Sequence, residues 1–390
     1  MPVSTIKSAG GESQSSLDTW IRRTTVRPST FSRVHCCFAL DCSGGHGDPR
    51  AFWCSERPLS WENDDSPVFS THIRWRVRPR SDMTETRVKE VTLCARWPSS
   101  PATALGSEHI YSNVSYLKSH LQKNVRKGNV ATALATAVHY LRLDAPDFLR
   151  RLPIIMLEDA TLHVSLPVVV WLMAACNASE HPLVLQHHPN LVDYILGVVR
   201  TLCKHPRTLP ELRLSDSTKT DHRAPSVDRL LASHGHPSEN IIYALLLRRS
   251  YGGMHGDLAM VNRCAQLVAN GDVVPDASPC SPVPWNRVPP LAAADWDLDA
   301  IDFHCARFLP SLLLRKYPAL HSACNGSEEE VRKLMWHNAS KLNVRLRGHA
   351  SQAGYRPDLW RTVEQPLRRL QRWLLDKNMV ADDVQNIMST

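Results

Sequence analysis

Between residues 114 and 159 apolar positions recur at the three- and four-residue intervals of an α-helix, and the pattern restarts twice. Val114, Leu117, Leu121 and Val125 form one stripe, with Lys118, Lys123, Arg126 and Lys127 gathered on the opposite side. Gly128 can take the left-handed position that ends this helix, and Asn129 can cap the next, so Arg126 to Asn129 reads as a tight corner. The second helix buries Val130, Leu134, Val138 and Leu141. A third starts at Asp144-Ala145-Pro146-Asp147, where Asp144 serves as N-cap and Pro146 sits in the first turn without losing a hydrogen bond. Phe148, Leu149, Leu152, Ile155 and Met156 make its buried side, and Pro153 kinks or ends it.

Upstream, from 31 to 105, the period changes to alternation. Val34 to Leu40, His72 to Val77 and Arg87 to Ala95 carry β-branched and aromatic residues between Gly, Pro and Asp turns, which predicts a small antiparallel sheet. Downstream the helical pattern resumes at Pro167–Ala175, Asn190–Cys203, Ser226–Ser233, Ser238–Ser250, Asp257–Asn270, Asp297–Leu314, Glu328–Leu342 and Pro357–Lys377. The polar stretch 205–225 and the proline-rich stretch 271–293 cannot continue helices. The expected architecture is therefore mainly α, a multi-helix array with a small antiparallel β-containing N-terminal region. Its divisions are a flexible tail over 1–30, a β-containing region over 31–105, a helical domain over 106–274, a Pro-rich linker over 275–293 and a C-terminal helical region over 294–390. No fixed-period repeat is present.

A formal charge of +8 and a pI near 9.0 favour an anionic partner, nucleic acid above all. The longest apolar run, Leu166 to Cys176, is too short to span a bilayer, and the N-terminus has no apolar leader. Eleven irregularly spaced cysteines then read as reduced thiols. The expected setting is the nucleus or cytoplasm, without secretion and without a membrane. In that setting the sequons at Asn113, Asn177, Asn325 and Asn338 are silent.

The basic helix with Lys123 and Arg126, its short turn, the Ala-rich helix, Asp147-Phe-Leu-Arg-Arg-Leu and the terminal Glu158-Asp159 together resemble one known segment. It is the helical C-terminal segment of bacterial replication-associated recombination ATPases, relatives of the clamp loaders. The resemblance covers about residues 114–163 and implies a lid or oligomerisation region in replication machinery. Nothing in the chain matches the Gly-x4-Gly-Lys-Ser/Thr phosphate loop, so the resemblance does not extend to ATPase activity or to a nucleotide cofactor. In the tail, Gln14-Ser15-Ser16-Leu17-Asp18-Thr19-Trp20-Ile21 resembles a sliding-clamp-binding box, with Ile21 in place of the second aromatic. That likeness implies that Leu17 and Trp20 plug a hydrophobic pocket on the clamp while Gln14 fills a polar notch.

Other clusters carry competing readings. Cys37, Cys42, His46 and Cys54 can close a tetrahedral zinc site, or the cysteines can simply be buried thiols in a sheet. Asp302, His304 and His337 could bind a divalent metal or run acid–base chemistry, or be satisfied boundary residues. Glu158, Asp159 and His163 form a possible carboxylate site, unless Glu158 pairs with Arg150 or Arg151. Tyr251 to Asp257 is a glycine-rich joint, either a phosphate cradle or a helix-to-helix turn, with Asp257 as the expected N-cap. Arg356, Arg361, Arg368, Arg369 and Arg372 decorate the last helix beside Trp360 and Trp373, over a packing stripe of Leu367, Leu370 and Leu374. Joined to Lys118, Lys123, Arg126 and Lys127, they define a candidate nucleic-acid surface. The function expected is a non-catalytic DNA replication or repair accessory that binds nucleic acid and a protein such as the sliding clamp. The alternatives are a metal-dependent nuclease or other hydrolase using Asp302, His304 and His337, and a helical scaffold subunit.

Overall fold

Four strands and the helices around them build the fold, given by a computed structural model that describes residues 36–43, 48–54, 58, 61, 68–77, 87–96, 112–178, 185, 189–205, 238–298, 309–338 and 357–376. The strands are β1 (Cys36–Asp41), β2 (Arg50–Cys54), β3 (Val68–Val77) and β4 (Arg87–Arg96). They form one sheet in the order β2-β1-β4-β3. β1–β2 and β3–β4 are antiparallel hairpin pairs, while β1 and β4 run parallel in the centre. The sheet is thus mixed where an antiparallel one was expected: alternation within a strand reports which face is buried, not which way the neighbour runs.

Alternation divides the sheet cleanly. Phe38, Leu40, Ile73, Trp75, Val91, Leu93 and Ala95 face the helices and join the main core. Cys37, Ala39 and Cys94 lie on the outer face with Trp61. β2 escaped the sequence reading because it is only five residues long.

The helices are α1 (Val114–Lys127), α2 (Val130–Asp159), α3 (Leu166–Asn177), α4 (Pro189–Lys204), α5 (Glu239–Ser250), α6 (His255–Ala269), α7 (Leu309–Lys316), α8 (Pro318–Ala323), α9 (Glu328–Asn338) and α10 (Pro357–Asp376). The short α8 was not anticipated. The expected corner is present: Gly128 adopts φ 74°, and its N–H and that of Asn129 close onto the last carbonyls of α1. Asn129 stands at the N-cap of α2, but its side chain turns back to donate to Asn124 at 3.1 Å and does not cap the helix. Within α2 the helical dihedrals break at Asp144, whose carboxylate accepts the Asp147 N–H at 2.9 Å, so the second and third predicted helices abut as one kinked rod. Pro153 is absorbed without ending it.

Helix α3 is buried on every side from Leu166 to Cys176. An all-round apolar helix must be enclosed, and here the sheet lies against it with α2 and α5. Trp171, fully buried, donates its indole N–H to the Phe38 carbonyl at 2.8 Å, which fixes the helix to β1 without leaving a polar group unsatisfied. Across the same seam Phe38 stacks on Trp53 with centroids 4.3 Å apart, and Trp53 meets the edge of Tyr243 from α5. Among the described residues no helix is long and apolar enough to cross a membrane.

The proline-rich stretch expected as a linker runs, together with the residues on to Asp297, as a packed strap from the end of α6. Its Asp276 bridges to His163, Val283 donates to the Asp193 carbonyl at 2.9 Å, and Trp285 donates to the Asp193 side chain at 2.8 Å. The Cα of Gly197 on α4 faces this strap so closely that a Cβ there would lie 2.5 Å from the Ser281 carbonyl oxygen. Gly197→Ala therefore forces backbone apart, and unfolding in urea should show a loss of about 2 kcal/mol. An unchanged midpoint would mean that the strap does not sit against α4.

Candidate functional site

The sequence placed four cations on an outward face of α1; the fold turns them inward or ties them to acids. Lys118 pairs with Asp147 on α2 at 2.8 Å. Lys123 is buried, with 4% of its surface exposed. Arg126 donates Nε–H to Asp159 at 2.6 Å, and Lys127 forms an ion pair with Asp297 of the strap. These residues do converge, but on the α1–α2 interface and not on a track open to a polyanion. A single apolar stripe implies that α1 packs along one side only, whereas α2 and the strap cover most of its circumference.

What results is a chain of buried charge. Arg151 reaches Asp257 at 3.1 Å, Glu158 at 3.7 Å and the Gln122 carbonyl oxygen at 2.5 Å, while Gln122 donates to Glu158 at 3.0 Å. The alternative pairing of Glu158 with Arg151 is thus the one observed. Asp257 lies three residues into α6, after Met254 at the N-cap, so it serves Arg151 and not the helix end. Burial pushes the Asp159 carboxyl upward against the pull of Arg126, and its Oδ2 has no hydrogen-bond partner among the described residues. For Asp147 burial also raises the carboxyl, but hydrogen bonds from Lys118 and Tyr140 win and hold it below the usual range.

His120 closes the network toward the strap. Its Nε2 accepts the Asp297 backbone N–H at 3.0 Å, so the proton must sit on Nδ1, which meets the Thr136 hydroxyl at 2.9 Å. Trp296 covers the ring at a centroid distance of 4.6 Å. Burial drives its pKa from 6.5 down to about 4, with Asp297 resisting and Lys127 assisting.

A second constellation surrounds His163. Its ring lies 2.9 Å from the Ser165 hydroxyl, 2.8 Å from the Ser278 carbonyl and 3.8 Å from the Cys280 sulfur. The grouping has the elements of a nucleophile and its base, but the contacts assign both nitrogens: Nε2–H donates to Ser278, and Nδ1 accepts from Ser165 N at 3.1 Å. Burial also raises the Cys280 thiol's pKa. The cluster bolts the strap to the α2–α3 loop. The sequence links His163 with Glu158 and Asp159 instead; its observed partners are Ser165, two residues on, and Ser278 and Cys280, 115 and 117 residues away, and the distant pair leaves no local signal.

The proposed zinc set does not assemble. Cys37 and Cys54 occupy the outer face of the sheet, whereas Cys42, five positions after Cys37 and hence of opposite parity, packs against the main core; His46 lies outside the described residues. Among the described residues no group of three His, Cys, Asp or Glu is placed to hold a metal ion. Asp302 and His304, the side chain of His337, and Gln14, Leu17, Trp20 and Ile21 also lie outside the described residues. The glycine-rich joint is a helix-to-helix turn with Gly252 at φ 77° and Gly253 at φ 144°, held by buried Arg248 donating to the Gly252 and Arg150 carbonyls at 2.8 Å.

Helix α10 is different. Leu367, Leu370 and Leu375 are buried, while Arg361, Arg369 and Arg372 are exposed on the other side with Trp373. Arg368 pairs with Glu364 at 3.0 Å, and Arg372 touches the Ala293 carbonyl at 3.3 Å. The Lys316 ammonium of α7 stands 5.8 Å from the Trp373 ring centroid. Arginines and an exposed indole on one helical face form a surface able to meet phosphate and base together.

The histidine lock has a pH signature. Because the folded pKa of His120 lies below the unfolded one, the unfolded chain takes up the proton first, and stability is lost as pH falls from 6.5 towards about 4. Comparing His120→Gln with the parent by urea unfolding cancels other titrating groups. The cost of the substitution at pH 7 should shrink by roughly 3 kcal/mol at pH 4; a cost independent of pH would mean the ring is not held neutral.

No family model, curated protein or solved structure matches the chain.

Proposed function

We propose that the chain is a non-catalytic accessory that holds a nucleic acid against the exposed face of α10. The observation that carries this reading is the alignment of Arg361, Arg369 and Arg372 with Trp373 on the side of the helix opposite its buried leucines. The overall charge of +8 supports it. The cations of α1 are left out, since they lie at the interface of α1 with α2 and the strap. A role in DNA replication or repair, with a sliding clamp as protein partner, follows from the resemblances of residues 114–163 and of the tail box alone.

Binding of a fluorescent DNA oligonucleotide, followed by anisotropy across a salt series, tests the proposal. Reversing Arg361, Arg369 and Arg372 to Glu together should lower affinity at least about tenfold and reduce the salt slope by about three, close to one counterion per phosphate contact. Lys118→Ala should leave both unchanged. Absence of binding at low salt, or equal losses from the two variants, would remove α10 as the interface.

A further inference from the structure

On the outer face of the sheet Cys37 of β1 and Cys94 of β4 bring their sulfurs to 3.0 Å, with both residues buried. Cys54 on β2 is the cross-strand partner of Cys37, and its thiol points to the Cys37 carbonyl at 3.6 Å. Trp61 closes the same small cluster. Two thiolates sharing a zinc ion stand about 3.8 Å apart, as two Zn–S bonds of about 2.3 Å in a tetrahedron require. The Cys37–Cys94 approach is tighter than that, and lies about 1 Å beyond a covalent S–S bond.

We propose that Cys37 and Cys94 are an oxidation site that closes to a disulfide across the parallel strands, with half-buried Cys54 as the point of entry. Exchange with a small-molecule disulfide such as oxidised glutathione balances the step. The Cys54 thiolate attacks one glutathione sulfur and releases the first glutathione thiol. Cys37 then attacks the Cys54 sulfur and releases the second. Cys94 finally attacks Cys37 and returns Cys54 as a thiol. Two protein thiols lose two electrons and two protons, and the oxidant gains them as two thiols. The hydrogen bond to Cys37, followed by burial, keeps the Cys54 thiol protonated, so formation of the bond and its reopening through Cys54 are both slow.

The full chain is incubated with oxidised glutathione, unfolded in N-ethylmaleimide and digested for mass spectrometry. The expected product is a Cys37–Cys94 crosslinked peptide with Cys54 carrying maleimide, lost on adding dithiothreitol. Because the bond closes a 57-residue separation, thermal unfolding should shift up by on the order of 5 °C. In Cys94→Ala the crosslink should move to Cys37–Cys54. Should that variant not fold, mapping of the parent chain decides alone. Maleimide on both Cys37 and Cys94 after oxidation overturns the proposal, as does a persistent Cys54–glutathione adduct with that pair unreacted.

Discussion

A charge removed from water must find its opposite, and that requirement organises the centre of this protein. The α1–α2 interface takes in Lys118, Lys123, Arg126, Lys127 and Arg151 from the cationic side and Asp147, Glu158, Asp159, Asp257 and Asp297 from the anionic side. Desolvation weighs most on Asp159, whose side chain has no exposed surface, and removal of Arg126 would strand it at a cost of several kcal/mol. The acids come from α2, α6 and the strap, so pairing also dictates where those elements sit. The same demand turns a helix that looks basic in sequence into one with little charge to offer a ligand.

The sheet and α3 obey the complementary rule. A helix with no polar face can exist only inside, and the sheet offers one side of that enclosure through Phe38, Leu40, Val91 and Leu93. Burying such residues contributes about 1.5–3 kcal/mol each, which outweighs the modest gain from the Trp171 hydrogen bond. That bond matters because it sets the helix's position along the strand.

Much of the fold was legible because its causes are local. Gly128, Asp144 and Pro146 act on neighbours within one turn, and the structure places a left-handed cap and a kink with its carboxylate cap where those residues stand, while Asn129 stands at the N-cap of α2 without a side-chain cap hydrogen bond. The pairing of Arg151 with Glu158 was legible for the same reason, at helical spacing. The direction of β1 against β4, the burial of Lys123 and the tautomer of His120 are decided by groups distant in the chain, and periodicity carries no trace of them. The arginine face of α10 was readable because its leucine stripe alone determines which side remains outside.

The strap has a kinetic corollary. Its hydrogen bonds to Asp193, His163 and His120 join residues separated by 92, 115 and 177 positions, and the three can stand together only once α1, α2 and α4 lie side by side. Contacts of such long reach are closed late, after shorter loops have been ordered. Folding of the helical body thus ends with the fastening of one clasp, and its release is the natural first step by which the assembled helices come apart.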